Sequence, residues 1–339
     1  MNCSRRDFVV GSAALAGLSA VGATSCREIK AVLLHLGYNM WYPSDTELRA
    51  KDDLWRRAVD GAVKSGMNMV VVDVGEGIVL PSHPELAVKG SWSPDKMRDE
   101  IKRLNGLGLE VVPKLNFSAT HDAWLGPYAR RVSTPEYYAV VKDMIRDVAE
   151  IFGCPRLFHL GWDEETAGHQ RKYDYIVVRG SELWWHDFLY TVNEVERNGA
   201  RAICWSDVYW TGRDEFKKRM PKSVLQCNWY YRSDFSEKKM VWNEKFEKEG
   251  GWGEGVHGAI TFLELEKAGY DQLAGPGNFW GEPAAEAVVK FCKERVDPSR
   301  LKGFLMSTWA GTTAAEEKKV TDGIREFADV KRKYYPKGV

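Results

Sequence analysis

The sequence lacks the short motifs that mark several large classes of enzyme. It contains no G-x-x-x-x-G-K-[S/T] phosphate loop and no G-x-S-x-G turn, which argues against nucleoside triphosphatases and against serine hydrolases of the α/β type. The seven histidines form neither H-x-H nor H-E-x-x-H, and no C-x-x-C pair or carboxylate-rich calcium loop is present. We therefore expect no bound metal and no other cofactor.

One glycine-rich stretch does have the spacing of a known motif. Gly253-x-Gly255-x-x-Gly258 matches the spacing of a dinucleotide-binding loop. In that motif the glycines follow a strand, whereas here they follow a charged segment with a helical pattern. The spacing alone therefore predicts no nucleotide site.

The chain also lacks an excess of charge and a long hydrophobic run. Lysine plus arginine and aspartate plus glutamate number 48 each, so no overall field attracts nucleic acid or an anionic membrane. The apolar run from Val9 to Ala23 is short and rich in small residues, whereas a spanning helix needs about 20 apolar residues. A membrane-spanning segment is therefore not expected.

The N-terminus instead has the pattern of an export signal. Arg5 and Arg6 precede this apolar run, which is typical of the twin-arginine route. We expect residues 1–26 to be the signal, 27–339 to be one catalytic domain, and the product to be periplasmic or on the outer surface. Ala23-Thr-Ser-Cys26 is either a poor lipobox, in which case a lipid on Cys26 would be the one link to a membrane, or simply the region of ordinary signal cleavage.

Apolar β-rich runs alternate along the chain with amphipathic segments. The predicted strands are Ala31–Leu36, Met69–Val74, Leu109–Leu115, Leu157–Leu160, Ala202–Trp205, Val224–Asn228, Asp271–Ala274 and Leu301–Ser307. The predicted helices are Asp52–Ser65, Pro94–Leu107, Pro135–Phe152, Glu182–Asn198, Asp214–Arg219, Ile260–Ala268, Pro283–Arg295 and Glu316–Lys331. Eight strands that alternate with eight helices predict a single (β/α)8 TIM barrel of the α/β class, with a doubly wound open sheet as the alternative.

The predicted carboxyl ends of these strands carry many aromatic and polar residues. Tryptophan is the compositional outlier, with 14 residues. If the barrel closes, these side chains converge on one rim and form a cleft with stacking surfaces and hydrogen-bonding groups, as a carbohydrate site requires. The candidate substrate-binding residues are Trp41, Asp73, Asn116, His121, His159, Trp162, Trp205, Asp207, Trp229, Tyr230, Trp280 and Trp309. For His159, within the fourth strand, a hydrogen-bonded core position is the alternative.

Two adjacent acids follow the fourth predicted strand, in Leu157-Phe-His-Leu-Gly-Trp-Asp-Glu-Glu165. Asp163 and Glu164 stand beside a tryptophan, and such a pair suits cleavage of a glycosidic bond. One acid can protonate the leaving oxygen while the other stabilises charge. The alternative is that they cap a strand-to-helix junction.

The segment Phe158-His-Leu-Gly-Trp-Asp-Glu164 resembles the His-x-Gly-Gly-Asp-Glu signature of glycoside hydrolase family 20, the β-N-acetylhexosaminidases. The resemblance extends to Val111–Asn116 with His121 after it, and to the tryptophans at later strand ends. It implies a catalytic barrel in which Glu164 is the general acid and Asp163 orients the substrate's 2-acetamido group, whose oxygen attacks the anomeric carbon. A carbohydrate is then the expected partner.

The sequence departs from the family pattern at several points. Trp162 replaces the second glycine, and Lys114 and Asn116 replace two acids of the third strand. The first strand lacks an arginine for the outer hydroxyls of the sugar, and Gly311 stands where a glutamate is expected after Trp309. Two alternatives to an exported hydrolase therefore stay open: a catalytically silent sugar-binding surface protein, and a sugar-active barrel enzyme of another class, such as a lyase or isomerase.

Overall fold

A computed structural model describes residues 28–41, 45–282 and 284–334 of the chain. Its eight parallel strands form a closed barrel in sequence order, and β8 pairs with β1. The strands are β1 Ile29–His35, β2 Met69–Asp73, β3 Glu110–Lys114, β4 Leu157–His159, β5 Arg201–Trp205, β6 Leu225–Trp229, β7 Gln272–Gly275 and β8 Leu301–Gly311. The predicted TIM barrel is confirmed, and the open sheet is wrong.

A helix follows each strand and covers the outside of the barrel. The helices are α1 Asp52–Lys64, α2 Pro94–Gly106, α3 Pro135–Ile151, α4 Ser181–Arg197, α5 Arg213–Arg219, α6 Glu244–Lys248, α7 Ala259–Lys267, α8 Ala284–Arg295 and α9 Glu317–Tyr334. Short α6 lies between β6 and α7 and has no counterpart among the predicted helices. None of these helices, within the described residues, has the length and apolarity needed to cross a bilayer.

The strands are buried on both faces, because the barrel interior covers one face and the helices cover the other. Val70, Val71 and Val72 of β2 are fully buried, as their continuous apolar run predicts. Helix starts follow local chemistry as well: the Ser93 hydroxyl accepts a hydrogen bond from the Lys96 amide, with Pro94 at the first helical position. Local signals and burial therefore agree along most of the chain.

The predicted export signal and the candidate lipidation site at Cys26 lie outside the described residues. The described chain enters the barrel at Ile29, at the amino-terminal face. The long connections that carry the candidate site residues all leave from the opposite face, at the carboxyl ends of the strands.

Candidate active site

A cavity of about 490 Å³ opens at the carboxyl ends of the strands. The acid pair Asp163 and Glu164 lies in its wall. Most of the remaining wall is aromatic: Trp41, Trp229, Tyr231, Trp252, Trp280 and Trp309. A pocket of this size, apolar with a few convergent charged groups, has the usual character of a small-ligand site.

The loop after β4 holds the acid pair in an unusual backbone conformation. Gly161, Trp162 and Glu164 have φ values of 70°, 70° and 60°, in the left-handed region that non-glycine residues rarely adopt. A Cβ at Gly161 would lie 2.2 Å from the Asn116 side chain, so glycine is required there. The backbone strain therefore lies at Trp162 and Glu164, on either side of Asp163.

Side chains from the neighbouring strands hold this loop in place. Asn116, after β3, accepts a hydrogen bond from the Trp162 amide at 3.1 Å and donates to Asp163 Oδ1 at 2.7 Å. Asp207, after β5, accepts from the Glu164 amide at 2.9 Å, and the Thr120 hydroxyl donates to the Glu164 carbonyl at 2.7 Å. These bonds fix the backbone of the loop and the direction of the Asp163 carboxylate.

His121 contacts both acids through one nitrogen. Its Nε2 lies 3.4 Å from Asp163 Oδ2 and 3.3 Å from Glu164 Oε2. Burial alone would lower the pKa of His121, but the two carboxylates outweigh it and raise that pKa to about 10. Burial likewise opposes ionisation of Asp163, but His121, Lys114 and Asn116 hold its pKa well below the ordinary value. At neutral pH the site therefore contains an imidazolium beside an ionised Asp163.

His121, Asp163 and Glu164 are also the one group of potential metal ligands found among the described residues. One ligand atom from each lies within 4.8 Å of the others. The raised pKa of His121 favours a proton on its Nε2, the atom that a metal would need as a ligand. A metal ion at this position would therefore have to displace that proton.

Asp207 lies behind the acid pair and is fully buried. Its Oδ2 accepts from the Glu164 amide and from Trp252 Nε1 at 3.0 Å, while its Oδ1 is buried without a hydrogen-bond partner. Burial and the nearby charge of Asp163 raise the pKa of Asp207 to about 7. Asp207 is therefore a positioning group that changes charge near neutral pH.

We expect Asp207→Asn to become more stable relative to the wild type as pH rises from about 4 to about 7. The folded wild type keeps the Asp207 proton up to about pH 7, whereas the unfolded chain releases it at the ordinary pKa of about 3.9, so wild-type stability falls across this window. Asparagine retains the accepting oxygen without ionising, and the relative gain should reach roughly 2–4 kcal/mol and then level off. Urea unfolding at a series of pH values measures it; parallel curves for the two proteins would contradict the assignment.

The predicted site residues other than Trp162 and Tyr230 fall into three groups by position. Trp41, His121, Trp229, Trp280 and Trp309 line the cavity with the acid pair. Asn116 and Asp207 hold the acid loop from behind. Asp73, His159 and Trp205 are buried beneath the cavity.

The buried residues beneath the cavity form a polar and aromatic floor inside the barrel. Asp73 pairs with Lys114, and the His159 and Trp205 rings contact each other with centroids 4.5 Å apart. Trp205 in turn supports Trp309, 5.6 Å away. His159 is thus a core histidine, the alternative considered from sequence, rather than a cavity residue.

Two predicted cavity residues point elsewhere. The left-handed backbone turns Trp162 towards the helix layer, where its ring lies under Arg179 at 4.1 Å and its Nε1 donates to Thr191. Tyr230 follows Trp229 directly, and successive side chains at a strand end face opposite sides. Its hydroxyl donates to the Asp234 carbonyl at 2.7 Å. Trp162 and Tyr230 therefore do not line this cavity, and their role in substrate binding stays a prediction.

Several cavity residues have no counterpart in the sequence-based prediction. Tyr231 lines the cavity in place of Tyr230 and accepts a hydrogen bond from Trp309 Nε1 at 2.8 Å. The alternation of side chains after β6 is a signal that could have identified it. The others, His169, Arg232, Trp252, Glu254 and Phe279, come from loops whose course the sequence pattern does not specify.

Comparison by sequence finds no matching family model and no matching curated protein. Comparison by structure finds β-N-acetylhexosaminidases. The Bacteroides fragilis β-N-acetylhexosaminidase has a TM-score of 0.62 and 15% identity, over 90% of this chain and 65% of that one. The Vibrio harveyi exo β-N-acetylglucosaminidase of family 20, solved with N-acetylglucosamine, has a TM-score of 0.62 and 12% identity, over 89% and 54%.

Dispersin B is a further match, with a TM-score of 0.55 and 14% identity, over 89% of this chain and 98% of its own length. The chain thus spans 65% and 54% of the first two proteins but nearly the whole of the third. The expected resemblance to family 20 is confirmed as a likeness of fold between strongly divergent sequences.

Proposed function

We propose that this chain is a glycoside hydrolase that removes a terminal N-acetylhexosamine or closely related sugar, with Glu164 as general acid. The observation that carries the proposal is the shared contact of Asp163 and Glu164 with His121 at the mouth of an aromatic cavity. The fold shared with β-N-acetylhexosaminidases supports the same class of reaction.

The geometry favours a nucleophile supplied by the substrate. In most glycosidases two carboxylates flank the scissile bond, and one of them attacks or activates water. Here both acids reach the same nitrogen of His121 and therefore lie on one side of the cavity.

The other nearby acids are already engaged as hydrogen-bond acceptors. The Glu76 carboxylate is buried and accepts from the backbone amides of Tyr38 and Asn39. Asp207 accepts from the Glu164 amide. Glu254, which lines the same cavity, accepts from the Tyr231 amide and from Trp280 Nε1. An attacking 2-acetamido oxygen needs none of them.

In the first step the acetamido oxygen bonds to the anomeric carbon as the bond to the leaving oxygen breaks. The Glu164 proton passes to that leaving oxygen. Asp163, held ionised by His121, stabilises the positive charge that develops on the acetamido group. In the second step water attacks the anomeric carbon, gives a proton to Glu164 and releases the acetamido oxygen.

The decisive experiment is inhibition by a thiazoline derived from N-acetylglucosamine, which mimics the cyclised intermediate. A panel of aryl glycosides first identifies the sugar that the wild type hydrolyses. We expect hydrolysis of N-acetyl-β-hexosaminides and tight thiazoline inhibition. The control substrate is the matching glucoside, which has a hydroxyl in place of the acetamido group and should be inert. Hydrolysis of glucosides without thiazoline inhibition would overturn the acetamido route.

The alternative functions give different outcomes in the same assays. A catalytically silent sugar-binding protein would bind N-acetylglucosamine but hydrolyse no member of the panel. A lyase or isomerase would convert sugars without releasing the aryl group by hydrolysis.

We also propose that residues 1–26 export the protein by the twin-arginine route, supported by Arg5 and Arg6 before the apolar run. Replacing both arginines with lysine should leave the precursor in the cytoplasm, as measured by cell fractionation and immunoblotting. Normal export of that variant would refute the proposal. If Cys26 carries a lipid, Cys26→Ala should move the product from the membrane fraction to the soluble periplasmic fraction.

A further inference from the structure

The glycine-rich segment with dinucleotide-loop spacing forms part of the cavity wall. Residues Glu254–Gly258 form one π-helical turn between α6 and α7. The Asn228 side chain donates to the Gly258 carbonyl at 2.9 Å, and a Cβ at Gly258 would lie 2.9 Å from the Tyr230 ring. Gly258 therefore lets the turn pack closely against the end of β6. The glycine spacing thus serves the packing of the turn, and the turn places Glu254 in the cavity wall.

Glu254 is a buried carboxylate at the cavity, and its side chain is held by neighbours on two loops. It is 6% exposed. Its Oε1 accepts from the Tyr231 amide, and its Oε2 accepts from Trp280 Nε1 at 3.1 Å. Burial raises the pKa of Glu254, and Arg232, whose Nε lies 3.7 Å from Oε2, opposes that rise.

The two known bonds leave acceptor capacity unused. An ionised carboxylate has about four acceptor positions on its two oxygens. Hydrogen bonds from Tyr231 and Trp280 occupy one on each oxygen. The free positions, one on each oxygen, suit two hydroxyl groups on neighbouring carbons of a sugar ring.

The surrounding groups agree with a neutral sugar at this position. The Trp229 and Tyr231 rings stack with centroids 5.1 Å apart and form a continuous apolar wall beside Glu254. Trp280 is 52% exposed and Phe279 46%, so the rim of the wall presents free aromatic surface. Such surface stacks on the C–H face of a sugar while the carboxylate binds hydroxyls at its edge.

The same segment also reaches the acid pair. Trp252, two residues before Glu254, donates to Asp207, which binds the Glu164 amide. The segment from Trp252 to Gly258 therefore contacts Asp207, which holds the general acid, and also forms the part of the cavity wall that contains Glu254.

We propose that Glu254, oriented by Trp280 and Arg232, is the specificity-determining residue that binds two neighbouring free hydroxyls of the sugar in the cavity. The choice of sugar rests on the proposed function, whereas the binding contact itself does not. A sugar whose hydroxyls at this position are substituted would be rejected, so the enzyme acts on unsubstituted terminal residues.

The test measures coupling between Glu254 and single sugar hydroxyls. The substrates are 4-nitrophenyl N-acetyl-β-glucosaminide and its 3-, 4- and 6-deoxy analogues. For the wild type we expect loss of at least one hydroxyl to lower kcat/KM by about tenfold or more. In Glu254→Gln the parent substrate should lose a similar factor, mainly through KM, and the same deoxygenation should then cost less than about threefold.

Two further variants keep the test independent of folding defects. Glu282→Gln removes the other acid near Arg232, at 3.8 Å, and should leave the deoxy-sugar pattern of the wild type unchanged. Trp280→Phe removes the donor that orients Glu254 and should weaken the same hydroxyl contact. Thermal unfolding checks that each variant is folded.

Dissociation constants of the free deoxy sugars, measured by calorimetry, give the same comparison without hydrolysis. Coupling in binding with no hydrolysis would support the Glu254 contact and refute the hydrolase function. Hydrolysis with equal deoxygenation losses in wild type and Glu254→Gln would refute the contact and retain the function. Neither binding nor hydrolysis would refute both.

Discussion

Glu164→Gln is expected to lower kcat/KM about 10³-fold for substrates with poor leaving groups and less than about tenfold for activated aryl glycosides. Glutamine keeps the size and the backbone bond to Asp207 but has no proton to give to the leaving oxygen. A dinitrophenolate leaves without protonation, whereas a sugar alcohol does not. The measurement is kcat/KM across aryl glycosides of graded leaving-group pKa, where the variant should have a steeper dependence than the wild type.

The neighbouring acid Glu165 provides a matched control for this substitution. Its side chain is buried away from the cavity, where Oε1 accepts from Arg179 Nε at 2.9 Å. Glu165→Gln should lower the free energy of unfolding because it weakens a buried ion pair. Its effect on kcat/KM should be the same for good and poor leaving groups. If Glu164→Gln also lowered kcat/KM equally for good and poor leaving groups, Glu164 would not be the general acid.

The course of the chain explains why the fold could be predicted more fully than the site. Parallel strands covered on both faces appear as continuous apolar runs, and helices appear as amphipathic periods, so their alternation predicts the barrel. The sequence also predicts that Asp163, Asp207 and Trp309 come from different strands but share one rim, and their positions around the cavity confirm it.

Side-chain direction at strand ends depends on local backbone geometry that no periodic pattern contains. The Trp162 side chain points away from the cavity because its φ is positive. Tyr231 lines the cavity because the preceding residue, Tyr230, faces the opposite side. Glu254 reaches the cavity from a turn beyond α6, so its position depends on tertiary packing of Gly258 against the end of β6. Positions near strand ends could thus be predicted but not always the direction of their side chains, and Trp252 and Glu254, far along the connection after β6, could not.

Asp163→Asn is expected to lower kcat/KM by about 10²–10³-fold for activated and unactivated substrates alike. In the proposed mechanism Asp163 stabilises charge on the acetamido group, and that charge develops whichever leaving group departs. The asparagine keeps an oxygen for the bond from Asn116 but removes the ionised partner of His121. Equal losses on both substrate classes would distinguish Asp163 from Glu164, and sparing of activated substrates would contradict its role.

The same variant should change the titration of His121. Burial lowers the pKa of His121, and Asp163 is the largest of the opposing influences that raise it to about 10. Without that charge the pKa of His121 should fall towards or below its ordinary value of about 6.5. Because a raised pKa contributes stability that is full below the unfolded pKa of about 6.5 and is lost as pH rises to the folded value, the wild-type contribution from this pair should decline between about pH 6.5 and about pH 10. In Asp163→Asn this contribution should already be absent at neutral pH. NMR titration of the imidazole nitrogens measures the shift, and an unchanged His121 titration would show that the imidazolium does not depend on Asp163.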